Sequence, residues 1–150
     1  MKLKRGKYRR AVFVVIYTRD RNGKIEYLIL RRKHHWIGWE FSKGGIKPLE
    51  LKRWTARREA GEESGLKIGK IKRFNYQGKY KYGKEFSDRK GFIGQTFTLF
   101  AAEAKKGKVK LDRKEHSGFR WMSFRQALRS VKFQNQKKSL RIVDRWLEKK

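Results

Sequence analysis

The sequence predicts an α/β domain. Three observations carry that prediction: an apolar run with strand composition, a hairpin signal directly after it, and a charged helical stretch bounded by a proline and a glycine. The run, residues 11–17, is continuously β-branched or aromatic apart from its first alanine. That is the composition of a strand covered on both faces. Asn22-Gly23 separates it from a second apolar run at 25–30, and this dipeptide favours the tight turn of a β-hairpin. Residues 36–41 add aromatic weight ahead of Gly44-Gly45. Pro48 suits a first helical position and Glu50 the first turn, so a helix is expected from about Pro48 to Ser64, stopped by Gly65. Residues 70–82 mix basic and aromatic side chains and read as extended, and 84–90 as an exposed loop. Strands are expected at 92–102 and 119–122. Ser123 and Gln126 form a capping box opening a helix to about Val131. A last helix over 135–147 places Leu140, Val143 and Leu147 on one face.

At 150 residues the chain reads as one domain, 1–150, large enough for a packed core. Hydrophobic residues reach only 37%, but aromatics make up 14%, and rings supply much buried area per residue. No apolar stretch approaches a transmembrane span. The basic start followed by 11–17 is too short, and too quickly charged again, for a signal peptide. The absence of cysteine excludes disulfides and thiolate metal sites and fits a cytoplasmic protein. Lysine and arginine total 43 against 14 acidic residues, a net charge of +29. Such a chain attracts polyanions, whether nucleotides, RNA, DNA or anionic lipid.

Between Gly44 and Leu66 the sequence reads GGIKPLELKRWTARREAGEESGL. Three of the scarce acidic residues, Glu59, Glu62 and Glu63, fall at i, i+3 and i+4, so their carboxylates share one helical face. Three negative charges that close are costly unless a cation sits among them. Hard carboxylate oxygens select Mg²⁺ or Mn²⁺ over zinc. Such ions screen phosphate charge and lower the pKa of a bound water. Glu50 falls off that face on a continuous helix and is better placed to pair with Arg58 or brace the loop.

The spacing Gly44, five residues, Glu50, seven residues, Arg58-Glu59-Ala60, one residue, Glu62-Glu63, one residue, Gly65-Leu66 resembles a complete Nudix box over 44–66. With seven fixed residues at about one in fifteen each, a chance match is of the order of one in a hundred million per starting point. The resemblance implies an α/β/α sandwich around a mixed sheet, with the box as loop–helix–loop. It implies that Gly44 offers a backbone carbonyl to metal, that Glu62 and Glu63 are principal ligands, that Glu59 is a ligand or base, and that Arg58 orients Glu59.

Beyond the box, His34-His35-Trp36 with Phe41-Ser42-Lys43-Gly44, then Glu115-His116, Phe119-Arg120-Trp121 and Lys132-Phe133, are similar to segments of asymmetric diadenosine tetraphosphate hydrolases. Bacterial RNA 5′-pyrophosphohydrolases share much of this pattern. Ser42 stands where that group has proline, which is expected to loosen the loop, and Ile37-Gly38 are extra. Glu115 is the candidate catalytic carboxylate from outside the box, with Glu85, Asp88 and Asp112 next in line. Candidate substrate-binding residues are Lys43 for phosphate, Tyr80 and Tyr82 from a tyrosine–lysine alternation that includes Tyr76, and Phe133 for base stacking. His34 and His35 are weaker phosphate candidates. The expected activity is Mg²⁺-dependent hydrolysis of a nucleoside polyphosphate, a dinucleoside polyphosphate first. An RNA 5′-end pyrophosphohydrolase comes second, and a binding module for RNA or the ribosome third. RNA is an expected partner of the basic surface; a membrane is not.

Overall fold

The computed structural model describes residues 6–83 and 87–150. Among them, β1 (Lys7–Arg19), β2 (Ile25–Arg32), β3 (Gly38–Glu40), β4 (Ser42–Gly45), β5 (Ile68–Lys81), β6 (Phe92–Ala104) and β7 (His116–Met122) form one seven-stranded sheet. Its main path runs β3-β2-β1-β6-β5, with β4 on β1 and β7 on β2. β1 and β6 are parallel from Lys7↔Phe92 to Tyr17↔Glu103, and β1 pairs antiparallel with both β2 and β4. The sheet is therefore mixed.

Alternation along β1 explains its unbroken apolar run. Phe13, Val15 and Tyr17 enter one core with Ala127 of α2 (Phe124–Ser130) and Leu140, Val143 and Leu147 of α3 (Gln134–Glu148). Val12, Val14 and Ile16 enter the other core with Ala56 and Ala60 of α1 (Lys52–Ser64). Both faces are covered, at about 1.5–3 kcal/mol for each large side chain buried. The expected sandwich with a mixed sheet is the fold observed. No helix among the described residues is long and apolar enough to cross a membrane.

The capping box at Ser123 forms in both directions, with Gln126 N–H donating to Ser123 Oγ at 3.2 Å and Ser123 N–H to Gln126 Oε1 at 3.1 Å. Gly65 closes α1 at φ 69°, its N–H donating to Gly61 O at 2.8 Å. The start of α1 differs from expectation. Pro48 and Glu50 lie outside the helix, which begins at Lys52 with no acidic residue in its first turn. Pro48 instead takes the second position of a turn closed by Glu50 N–H to Lys47 O at 3.0 Å. Leu49 follows at φ 64°, the positive φ of a type II turn, where glycine is the usual residue.

Three smaller differences follow, two on the approach to the box and one in the 84–90 loop. Ser42 does not loosen it: the residue is buried on β4 and pairs with Val14, using a backbone N–H that proline lacks. Aromatic residues 36–41 divide between a loop and β3, and a Cβ on Gly38 would overlap the Trp36 ring. The extra glycine thus lets the indole fold back on the chain. Within 84–90, only the 3₁₀ turn Ser87–Arg89 and Lys90 are described; Lys84 and Glu85 lie outside the described residues.

Candidate active site

α1 carries a charged sequence because its buried stripe is narrow. Only Thr55, Ala56, Ala60, Glu63 and Ser64 are buried, and two alanines let the helix lie close to the sheet. The same geometry carries Glu63 inward and leaves Glu62 more than half exposed, at 56% of its side chain. Gly44, paired with Val12, sits directly beneath Glu59, where a Cβ would overlap the carboxyl group.

Arg58 ties the loop to the helix. Its Nε and Nη2 donate to Glu50 Oε2 and Oε1 at 2.7 and 2.8 Å, and Nη2 also donates to the Gly45 carbonyl at 3.0 Å. Nη1 donates to Glu59 Oε1 at 2.8 Å and to Glu62 Oε2 at 3.3 Å. Glu50 additionally accepts from Thr55 Oγ1 at 2.8 Å and Lys47 N–H at 3.1 Å. The Arg58 fork, ahead of the smaller contributions, holds its pKa down at about 2. Glu50 therefore braces the loop as an anion at neutral pH, sharing Arg58 with Glu59, Glu62 and the Gly45 carbonyl.

Glu115 reaches Glu63 from 52 residues downstream. A turn in which Glu115 and His116 N–H both donate to Asp112 O, at 3.1 and 3.0 Å, sets it there. Ligand atoms of Glu63, Glu115 and His116 lie within 4.8 Å of one another. Asp112 is thus the turn residue rather than the incoming acid. Asp88 lies elsewhere, accepting from His34 at 3.2 Å and His35 at 2.9 Å.

Among the described residues, neither carboxylate oxygen of Glu63 has a hydrogen-bond partner. Burial, then the charges of Glu59, Glu40 and Glu115, push its pKa well above the usual carboxylate range. Burial also raises Glu59, against the pull of Arg58. A buried carboxylate with no hydrogen bond and three acidic neighbours is complementary to a cation. The carboxylates of Glu63 and Glu115, with Glu59 and Glu62 on the same helix and the Gly44 backbone against Glu59, are oxygen donors of the kind a hard divalent ion takes.

A polar network behind this centre has no counterpart in the sequence reading. Buried Glu40 accepts from Arg32 Nη1 at 3.0 Å and His116 Nε2 at 2.9 Å, and its other oxygen lies 3.2 Å from Lys43 Nζ. Burial works to raise the Glu40 pKa, but Lys43, His116 and Arg32 together hold it down at about 2. With Nε2 turned to Glu40, Nδ1 of His116 faces Glu63 Oε2 at 3.5 Å. One signal was available: Glu40 is an acid set between Trp39 and Phe41, and a charge inside an aromatic run is seldom exposed by accident. Arg9 is a second omission. Its guanidinium packs on Gly45 and feels the charges of Glu59 and Glu115.

Lys43 links this network to a cavity of about 460 Å³. Lys43, Tyr80, Tyr82 and Phe133, the four candidate substrate contacts, all line it. Phe133 meets Trp36 edge-on at 5.1 Å, and Lys43 Nζ stands 5.8 Å over the same indole. Tyr80 and Tyr82 lie 6.2 Å apart, and Arg89 covers one Tyr82 face at 5.4 Å. Tyr76 is not part of this wall; it packs on Phe97 under Lys138. His35 lines the cavity, but its ring nitrogens face Asp88 and Arg32.

Residues 7–146 match the NUDIX domain profile. No curated protein sequence matches the chain significantly. Among solved structures, a Caenorhabditis elegans Ap4A hydrolase in a binary complex aligns at 23% identity over 95% of this chain and 99% of that one, with a TM-score of 0.75. A Listeria monocytogenes Nudix hydrolase aligns at 19% identity over 93% and 94%, with a TM-score of 0.74. The Escherichia coli dihydroneopterin triphosphate pyrophosphohydrolase aligns at 18% over 90% and 95%, with a TM-score of 0.72.

Proposed function

The chain belongs to the Nudix family of phosphoanhydride hydrolases, and from that premise we propose that it is a Mg²⁺-dependent pyrophosphohydrolase of nucleoside polyphosphates, Mn²⁺ also serving. Its first substrate is a dinucleoside polyphosphate such as diadenosine tetraphosphate. The observation that carries this reading is the continuity of two environments. An aromatic cavity with room for a nucleoside meets the carboxylate cluster through Lys43, which is 3.2 Å from Glu40 and 5.8 Å from the Trp36 ring. The name of the C. elegans structure supports the same class.

The residues fit a divalent metal, since Glu63 has two buried oxygens without a hydrogen bond and the carboxylates of Glu59, Glu62 and Glu115 are hard oxygen donors, with His116 Nδ1 the one nitrogen in the cluster. Glu59, Glu62, Glu63, Glu115 and the Gly44 carbonyl would hold it. Bound there, the metal screens phosphate charge and makes water a competent nucleophile. Lys43 supplies a cation to the phosphate chain on the cavity side. Arg58 fixes Glu59, and Glu40 and His116 hold the floor beneath Glu63. Glu115, a carboxylate outside the box helix, is our candidate for the group that accepts the proton of the attacking water, with Glu59 as its rival. Trp36, Phe133, Tyr80 and Tyr82 stack or enclose a base.

The test is a panel of diadenosine tetraphosphate, ADP-ribose, nucleoside triphosphates and 5′-triphosphorylated RNA with Mg²⁺, products identified. The dinucleotide is expected to show the highest kcat/KM, yielding a nucleoside triphosphate and monophosphate. Preference for RNA, with release of pyrophosphate or phosphate, would replace it with the second reading. That reading, an RNA 5′-end pyrophosphohydrolase, is favoured by the +29 charge and by Lys79 and Lys81 beside Tyr80 and Tyr82.

A further inference from the structure

α1 covers only part of its face of the sheet. Beyond its first turn, three neighbouring strands bring Arg10, Thr96 and Lys79 into one cross-strand row on that face, with Thr98 and Gln77 paired in the row alongside. At the usual strand spacing, Arg10 and Lys79 stand about 10 Å apart across Thr96. Lys52 closes the end of the row, and together these residues line a cavity of about 360 Å³ that contains no carboxylate.

In a chain with 43 cationic residues, a basic patch is not in itself informative. This one is set apart by convergence. Among the described residues, none of Arg10, Lys52 and Lys79 has a carboxylate at ion-pair distance. Lys52 is partly desolvated and lies within the fields of Arg73 and Arg10, and burial followed by those two charges lowers its pKa. The first turn of α1 carries Lys52 and Arg53, no acid and no side-chain cap, although that end of a helix disfavours cations. The clustering of Lys52 with Arg10 and Arg73 and the cations at the start of α1 are unfavourable in the free protein, and an anion in the cavity would offset them. Lys79 Nζ lies 5.1 Å over the Tyr8 ring at the cavity's other side. Among otherwise largely apolar walls that include Ala11, Ile46 and Phe97, Thr96, Thr98 and Gln77 offer neutral hydrogen-bonding groups. Ile46, two residues past Gly44, links the cavity to the box, its N–H donating to Arg10 O at 2.9 Å.

We propose that this cavity is a second anion site, distinct from the hydrolytic centre, built to hold consecutive phosphates of a chain between Arg10, Lys52 and Lys79. Two sources present that chemistry: the phosphodiester backbone of single-stranded RNA and a free inorganic oligophosphate. The site does not depend on the substrate proposed above, and its test needs no turnover.

The full chain is titrated by calorimetry with tripolyphosphate and, separately, with a 5′-hydroxyl oligouridylate, which has no terminal phosphate for the hydrolytic centre. EDTA is present throughout to keep that centre free of metal. Two double variants of equal charge are compared, Lys52→Gln with Lys79→Gln, and the exposed pair Lys108→Gln with Lys149→Gln. The first pair is expected to weaken binding about tenfold or more and to flatten the RNA log–log salt slope by about 1.4, at about 0.7 per lost contact. The second pair should change affinity less than threefold. Loss with the oligouridylate alone assigns the backbone, and loss with tripolyphosphate alone assigns the free chain. Equal weakening by both pairs, or no binding of either probe by the parent at low salt, overturns the proposal. A melting temperature for each variant separates loss of a site from loss of the fold.

Discussion

Glu63 holds the tension of the site in one side chain. Its two oxygens are buried without a hydrogen bond, so the metal-free protein is expected to bear a cost that a cation removes. Glu63→Gln should lower turnover about a thousandfold or more, about 4 kcal/mol of transition-state stabilisation, while the fold survives. Near-normal rates from a folded variant would remove the metal cluster from the mechanism. The same substitution should stabilise the metal-free protein. An unfolded glutamate releases its proton near 4.5, whereas burial and then Glu59, Glu40 and Glu115 hold the folded Glu63 proton to a much higher pH. Over that interval the unfolded state binds fewer protons than the folded one, so stability falls as pH rises. In EDTA, Glu63→Gln should therefore melt about 3 °C or more above the parent at about pH 8 and equal it near pH 4. Millimolar Mg²⁺ should reverse the order at the higher pH. Glu40 works the other way: held at about 2, it contributes stability above 4.5 that is lost only as pH falls toward 2. Glu115 has a kinetic signature instead. On the role proposed for Glu115 at the reacting centre, Glu115→Gln should lower kcat more than it raises KM. A variant with full kcat would make it a loop residue.

Among the elements, α1 and α3 divide the work, one presenting carboxylates and the other closing the cavity. Phe133 precedes α3 as its N-cap residue and stands edge-on to Trp36, while Tyr80 arrives from the end of β5. Base–aromatic stacking is worth about 1–3 kcal/mol. Phe133→Ala and Tyr80→Ala should each raise the dinucleotide KM about tenfold and leave kcat within about threefold. A change in kcat alone would place both rings outside the nucleoside pocket. Local pattern carried this much of the site. Glycine at Gly65, the helical spacing of Glu59, Glu62 and Glu63, and the alternation around Tyr80 each obey a rule that acts within a few residues. Glu115 was found through its neighbours in a resembling segment, and its place beside Glu63 depends on a turn at Asp112 that local propensity only hints at. What remained hidden is non-local. The β1–β6 pairing joins residues 85 or 86 apart, and the chain Arg32–Glu40–His116–Glu63 joins β2, β3, β7 and α1. Pro48 misled because a proline that suits a first helical turn suits the second position of a β-turn equally well.

At the scale of the whole molecule, the net charge of +29 is the property the carboxylate cluster does not explain. A dinucleotide at the active site engages a few phosphates, so its KM should change only modestly between low and moderate salt. RNA lying along a basic surface releases counterions from every phosphate neutralised, with a slope of about −0.7 per contact on a log–log plot. Lys79 and Lys81 at the end of β5 and Lys90 after the 3₁₀ turn are exposed; Lys81 lines the nucleoside cavity, and Lys79 the second cavity on the α1 face. Lys84, between them in sequence, lies outside the described residues. Reversing Lys79, Lys81 and Lys90 to Glu should weaken RNA binding strongly and lower its salt slope by about three contacts, roughly 2 units. Cleavage of a free dinucleotide depends on the box and on the rings facing the cavity, so its kcat should hold under the same reversal. Filter binding across a salt series, beside steady-state kinetics on diadenosine tetraphosphate, checks both halves. RNA binding alone would not make the protein an RNA-end enzyme; triphosphorylated RNA must also be cleaved at rates that rival the dinucleotide. A flat salt response with no measurable RNA affinity would detach the charge from any polyanion partner and leave the dinucleotide reading without a competitor.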